Sequence, residues 1–88
     1  MENSETAAKD KRRQEAELTE QEIADALTAG QQLRQVVEIA YMLRRKPQTV
    51  RVWFNNGDMR GKRINGMWHT LDSEIARYST HGPYRKKD

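Results

Sequence analysis

The spacing of apolar residues changes several times along this chain, and the changes divide it. Residues 1–17 hold almost no apolar side chain larger than alanine, so burial cannot offset the entropy of ordering them. A disordered tail or a frayed helical lead-in is expected there. Thr19-Glu20-Gln21-Glu22 then forms a capping-box pattern, in which the threonine oxygen accepts the Glu22 amide proton and the Glu22 carboxylate reaches back. A helix is predicted within residues 18–30, with Ile23, Ala26 and Leu27 on one face and Gly30 as its stop. So short a helix is marginal alone and needs a partner surface, in its own domain or on a neighbouring copy. Ile23, Ala26 and Leu27 are therefore candidate self-association residues.

Residues 31–80 carry the strongest periodicity. Leu33, Val36, Ile39, Ala40 and Leu43 recur at three- and four-residue intervals, predicting an amphipathic helix of about three turns that ends among Arg44, Arg45 and Lys46. Pro47 disfavours helical geometry in the residue before it but suits the first turn of a new helix. In that second helix Val50, Trp53 and Phe54 face inward and Gly57 is the stop. After Gly57 the period becomes strand-like, and Asn65-Gly66 between Ile64 and Met67 is a strong signal for a two-residue hairpin turn. Strands over Arg60–Ile64 and Met67–Leu71 follow, pairing Arg63 with Trp68 and Ile64 with Met67. Asp72 is placed to N-cap a last helix containing Glu74, Ile75 and Tyr78, and His81-Gly82-Pro83 breaks it ahead of a basic tail spanning 81–88.

Charge adds an asymmetry that the total of +3 conceals. Residues 1–40 carry five basic groups against nine acidic ones, whereas eleven basic groups face four acidic ones from Tyr41 onward. A polyanion would meet the second half. The chain has no cysteine, which excludes a disulfide frame and a thiolate metal site. Its apolar runs are too short to span a membrane and its acidic start lacks signal-peptide order, so a cytoplasmic, membrane-free protein is expected. No phosphate-cradling glycine loop or metal-ligand cluster is legible, and His69 and His81 stand without a relay partner. The expectation is a non-enzyme with no cofactor and no metal.

A helix, a tight turn, a second helix with a polar outer face and a basic hairpin each answer a requirement of DNA binding, because the major groove admits one helix and another must brace it. Gln35 to Leu43 would be the brace. Gln48, Arg51, Val52 and Asn55 project outward from the second helix, and these residue types match guanine, adenine and thymine-methyl edges. Thr49 and Lys46 at the helix start suit phosphate oxygens, as do Arg44 and Arg45 in the turn. Arg60, Lys62, Arg63 and Asn65 would make the hairpin a wing near the minor groove or its phosphates, the alternative being a strand edge guarded by charge. The predicted fold is mainly α with a small β-hairpin: a winged helix-turn-helix preceded by an N-terminal helix.

Glu38-Ile39-Ala40, Leu43, Thr49-Val50, Trp53, Gly57, Arg63-Ile64-Asn65-Gly66 and Trp68 together resemble the excisionase branch of winged-helix proteins related to MerR-type regulators, over about half the chain. The resemblance implies that Thr49 to Asn55 reads the major groove and that Ile64 to Met67 forms the wing. It further implies a phage excisionase, of mycobacteriophage type, acting in a bacterial host cell. Such a factor binds DNA of attachment-site type cooperatively with neighbouring copies, bends it, and assists a tyrosine integrase in excision. Arg44 and Arg45 depart from the family's small-then-apolar turn, and Lys46 replaces its capping side chain, which leaves the start of the recognition helix open to a one-residue shift. Val50 to Asn56 also resembles the third helix of a homeodomain, but Gly57-Asp58 would interrupt that longer helix and the hairpin has no place in it. A small transcriptional regulator of the same fold, and a module binding an acidic protein partner, are the alternative readings.

Overall fold

The computed structural model describes residues 4–85, with side chains described from Asp10 onward. Its elements are helices α1 (Ser4–Ala16) and α2 (Glu20–Thr28), strand β1 (Leu33–Gln35), helices α3 (Val36–Leu43) and α4 (Pro47–Asn56), strands β2 (Lys62–Ile64) and β3 (Met67–Leu71), and helix α5 (Asp72–His81). The three strands form one antiparallel sheet in the order β1-β3-β2.

The local signals at the helix ends act as their chemistry requires. At the start of α2 the Thr19 Oγ1 accepts the Glu22 amide at 3.0 Å while the Glu22 carboxylate accepts the Thr19 amide at 3.1 Å. Pro47 is the first residue of α4, with Lys46 in extended geometry before it, so the helix start expected from Pro47 does not shift. Helices α2, α3 and α4 all end in the same paired arrangement of backbone bonds. A residue one or two positions past the end, Gly30, Arg44 or Gly57, takes positive φ, and the amide after it donates to the carbonyl five residues back (Gln31 to Ala26, Arg45 to Ala40, Asp58 to Trp53). Asn65 and Gly66 both have positive φ, as a type I′ turn demands, and the resulting register sets Arg63 opposite Trp68 and Ile64 opposite Met67.

One core lies between α3, α4 and α5, built from Val36, Ile39, Ala40, Val50, Phe54, Met59 and Ile75, with Leu43, Trp53, Trp68 and Tyr78 closing its edges. Phe54 stacks on Trp68 with ring centres 5.0 Å apart, and Trp53 meets Tyr78 at 4.4 Å. A second cluster joins Leu18 and Ala26 to Leu71, flanked by Ile23 and Leu33, and fixes α2 to the sheet.

The structure corrects four expectations. Residues 4–16 form a helix, which agrees with the helical lead-in and not with the disordered tail, and the C-terminal end of that helix is docked and not frayed: Ala16 and Leu18 are buried, Leu18 donates its amide to the Gly61 carbonyl at 3.0 Å, and the Arg12 guanidinium meets Asp58 at 2.7 Å. Long-range packing at its C-terminal end supplies what its composition lacks. Leu33 does not begin the helix that contains Val36, because Leu33, Arg34 and Gln35 pair with Leu71, Thr70 and His69. A strand partner distant in sequence outweighs the helical spacing. Asp72 is the first helical residue, not the cap; its carboxylate instead accepts the Gln32 amide at 3.1 Å and the Arg34 Nε at 2.8 Å. His81 belongs to α5, and the chain then folds back so that Tyr84 donates its amide to the Asp58 carbonyl and its ring lies against Arg60 and Arg77. The remaining expected tail residues, Lys86 to Asp88, lie outside the described residues, as do Met1 to Asn3.

Candidate nucleic-acid interface

Helix α4 is two-sided because its apolar residues fall on one stripe. Val50 and Phe54 are fully buried, whereas Gln48, Arg51, Val52 and Asn55 are exposed, and Thr49 is half-buried at the edge. Helix α3 backs α4 through Ile39, Ala40 and Leu43. Its own outer side leaves Val37 65% and Tyr41 86% accessible.

The hairpin reaches the outer side of α4. Arg51 and Asn55 from α4, Gln35 from the end of β1, Val37 from the start of α3, and Arg63, Gly66, Met67 and Trp68 from the hairpin line one cleft of about 360 Å³. The structure thus brings Arg51 and Asn55 of α4 together with Arg63 of β2. Gln48 and Val52 lie on the same exposed stripe outside the cleft walls, and Asn65 is exposed at the hairpin tip beside Gly66. Arg63 is held in place without a carboxylate: its guanidinium lies 4.9 Å from the centre of the Trp68 ring, which is itself fixed by Phe54.

The basic residues divide by whether a carboxylate neutralises them. Arg12 and Arg85 pair with Asp58, Arg34 with Glu38 and Asp72, and Arg77 with Glu74. Among the described residues no acidic group pairs with Arg44, Arg45, Lys46, Arg51 or Arg63. Arg44, Arg45 and Lys46 are exposed in the turn before α4, so the unpaired cations occupy both ends of that helix's approach surface.

Arg60 leaves the set expected for the wing. It lies ahead of β2, and its two terminal nitrogens grip the Glu22 carboxylate at 2.8 and 2.9 Å while its Nε and one terminal nitrogen donate to the Ala16 and Glu17 carbonyls. The Arg60 guanidinium holds the Glu22 carboxyl below the usual carboxylate range. Lys62 is drawn the same way, its Nζ 3.7 Å from Glu17. Glu22 and Glu17 lie in stretches that the sequence assigned elsewhere, and no local spacing predicts these contacts. The self-association candidates also divide: Ala26 is buried and Ile23 packs against the second cluster, which leaves only Leu27 largely exposed.

Gln35 and Val37 were not singled out for the site by sequence. They reach the cleft because β1 ends at Gln35 and α3 begins beside it. Arg77 and the buried Glu74, joined by two bonds of 2.7 Å, form a structural pair outside the cleft, where the Glu74 carboxylate also accepts the Arg60 amide at 2.8 Å. Among the described residues no group of three or more His, Asp or Glu could hold a metal ion, and no helix is long and apolar enough to cross a membrane.

The fold and this surface define an α-rich domain with a three-stranded antiparallel sheet, in which a polar helix face and a hairpin share a basic cleft. Comparison with protein-family models, with curated proteins and with solved structures gives no match to the chain.

Proposed function

We propose that this chain is a winged helix-turn-helix protein that binds and bends duplex DNA, and that it assists an integrase in prophage excision. The observation that carries the DNA-binding reading is the shared cleft of Arg51, Asn55 and Arg63, flanked by the unpaired Arg44, Arg45 and Lys46. In this reading α4 enters the major groove, Arg51 and Asn55 meet base edges, and Gln48 and Val52 extend the contact along the same stripe. Thr49 and the turn cations take phosphates, and Arg63 with Asn65 lies along the adjacent backbone as the wing. Helix α3 is the brace. The narrower role in excision rests on the excisionase resemblance of the residues from Glu38 to Trp68, and with it the expectation of a tyrosine integrase and neighbouring copies as partners.

The test is a gel-shift titration against phage attachment-site DNA and random duplex of equal length at two salt concentrations, followed by circular-permutation bending. Preferential, cooperative, salt-sensitive binding with a bend is the expected result. Specific binding to other DNA without a bend would replace the excision role with transcriptional regulation. An absence of duplex binding even at low salt would overturn the reading in favour of an acidic protein partner.

A further inference from the structure

Trp68 and Arg63 line a second cleft, of about 250 Å³, on the side of the hairpin away from α3. Its other walls are Arg13, Gln14 and Glu17, at and just beyond the end of α1. The two clefts therefore share the Arg63–Trp68 pair as a common ridge, and a ligand lying along the hairpin from α4 would next meet α1.

We propose that α1 is a further DNA-contacting element, whose Arg13 and Gln14 take a backbone phosphate on the flank beyond the hairpin. This rests on the DNA-binding reading above and extends it to a part of the chain that the winged domain does not include. Three observations support it. Arg13 has only Asp10 as an ionic partner, at 3.3 Å, and that pair is exposed on both sides, so a phosphate can displace it at little cost. Glu17, the one acidic wall, already faces Lys62 at 3.7 Å, which offsets its repulsion of an anion. Finally, α1 is fixed and not adrift: Gly57 approaches the Arg12 carbonyl so closely that an added Cβ would lie 2.6 Å from it, and Arg12 pairs with Asp58. Arg13 is thereby presented at a set position beside the end of α4. Lys11, exposed one turn before Gln14 and without a carboxylate partner among the described residues, adds positive potential on the same approach.

The experiment uses the full chain with Arg13→Ala and Arg13→Lys, the salt dependence of binding to the preferred duplex, and hydroxyl-radical footprinting. One lost phosphate contact lowers the slope of log K against log salt by about 0.9. Arg13→Ala should show that change, lose protection of one or two nucleotides outside the hairpin's footprint, and keep its order of preference among sequences. Arg13→Lys should retain the slope, and the melting temperature of both variants should match the parent, because the exposed Asp10 pair is Arg13's sole side-chain contact of this kind. An unchanged slope and footprint in Arg13→Ala, while Arg51→Ala still weakens binding, would overturn the role of α1 and leave the α4 surface standing. Failure of the parent chain to bind duplex at low salt would remove both.

Discussion

At the scale of single residues, the partner of each arginine separates folding from binding. Arg60 is engaged with Glu22 and two backbone carbonyls, so Arg60→Ala should destabilise the fold by about 1.5–3 kcal/mol in urea denaturation, since bonds to charged groups are worth that much. Arg51→Ala removes an exposed, unpaired side chain and should leave stability within about 0.5 kcal/mol of the parent. On the DNA-binding proposal the order should reverse in competition binding, with Arg51→Ala costing ~1–3 kcal/mol on the preferred site and flattening preference at one base pair. Acid should act through Glu22 and Asp72. Both carboxyls are held below their ordinary values in the folded state, Glu22 chiefly by its bonds from Arg60 and Asp72 chiefly by its bond from Arg34. The unfolded chain therefore takes up protons first as pH falls, and the stability these groups contribute is complete above their ordinary range and lost below it. Thermal melting should fall as pH drops below about 4.5, the ordinary value for glutamate. Glu22→Gln should flatten part of that fall and Asp72→Asn a further part.

At the scale of elements, the joint between α1 and α4 leaves no room for a Cβ on the residue that ends α4. Gly57 has φ +76°, and a Cβ there would lie 2.6 Å from the Arg12 carbonyl oxygen. Gly57→Ala should cost ~1–2 kcal/mol for the left-handed backbone alone, and more through displacement of α1. Gly66→Ala shares the positive φ but meets nothing within 4 Å, so it should show the backbone cost without the displacement. Limited proteolysis within α1 distinguishes the two, with accelerated cleavage expected only for Gly57→Ala. What the sequence made legible follows the range of the interactions. The Thr19–Glu22 box, the Pro47 start, the Gly57 stop and the Asn65-Gly66 turn are set by neighbours a few residues apart, and all were readable. The docking of α1, the pairing of Leu33 with Leu71 and the capture of Arg60 by Glu22 join residues far apart in sequence, which periodicity does not register. The outward stripe of α4 was readable for the same reason as its buried one, whereas the cleft that unites Arg51 with Arg63 depends on how the hairpin packs.

At the scale of the whole molecule, the acidic first half and basic second half do not simply become two faces. Much of the acid charge is used internally: Glu22 and Glu17 hold Arg60 and Lys62, and Glu38 holds Arg34. This neutralisation leaves Arg44, Arg45, Lys46 and Arg63 as the principal candidates for phosphate contact around α4. If those four each release one counterion, log K should fall with log salt with a slope of about −3.6, and inclusion of Arg13 would steepen it to about −4.5. A titration over several salt concentrations on one duplex measures this directly. A slope near zero would mean that complex formation is not governed by these cations.

The left-handed conformation of Arg44 carries a last consequence. With φ 55° and ψ 49°, it occupies the position just past α3 where a glycine would avoid a steric penalty of about 1–2 kcal/mol. Glycine would return about 0.5–1 kcal/mol of this through the greater freedom of the unfolded chain, so Arg44→Gly should be modestly more stable than the parent. Yet it would lose a cation from the turn that leads into α4. If the proposed DNA binding holds, this corner trades thermal stability for charge: selection for heat resistance alone would discard a residue that selection for DNA affinity would keep.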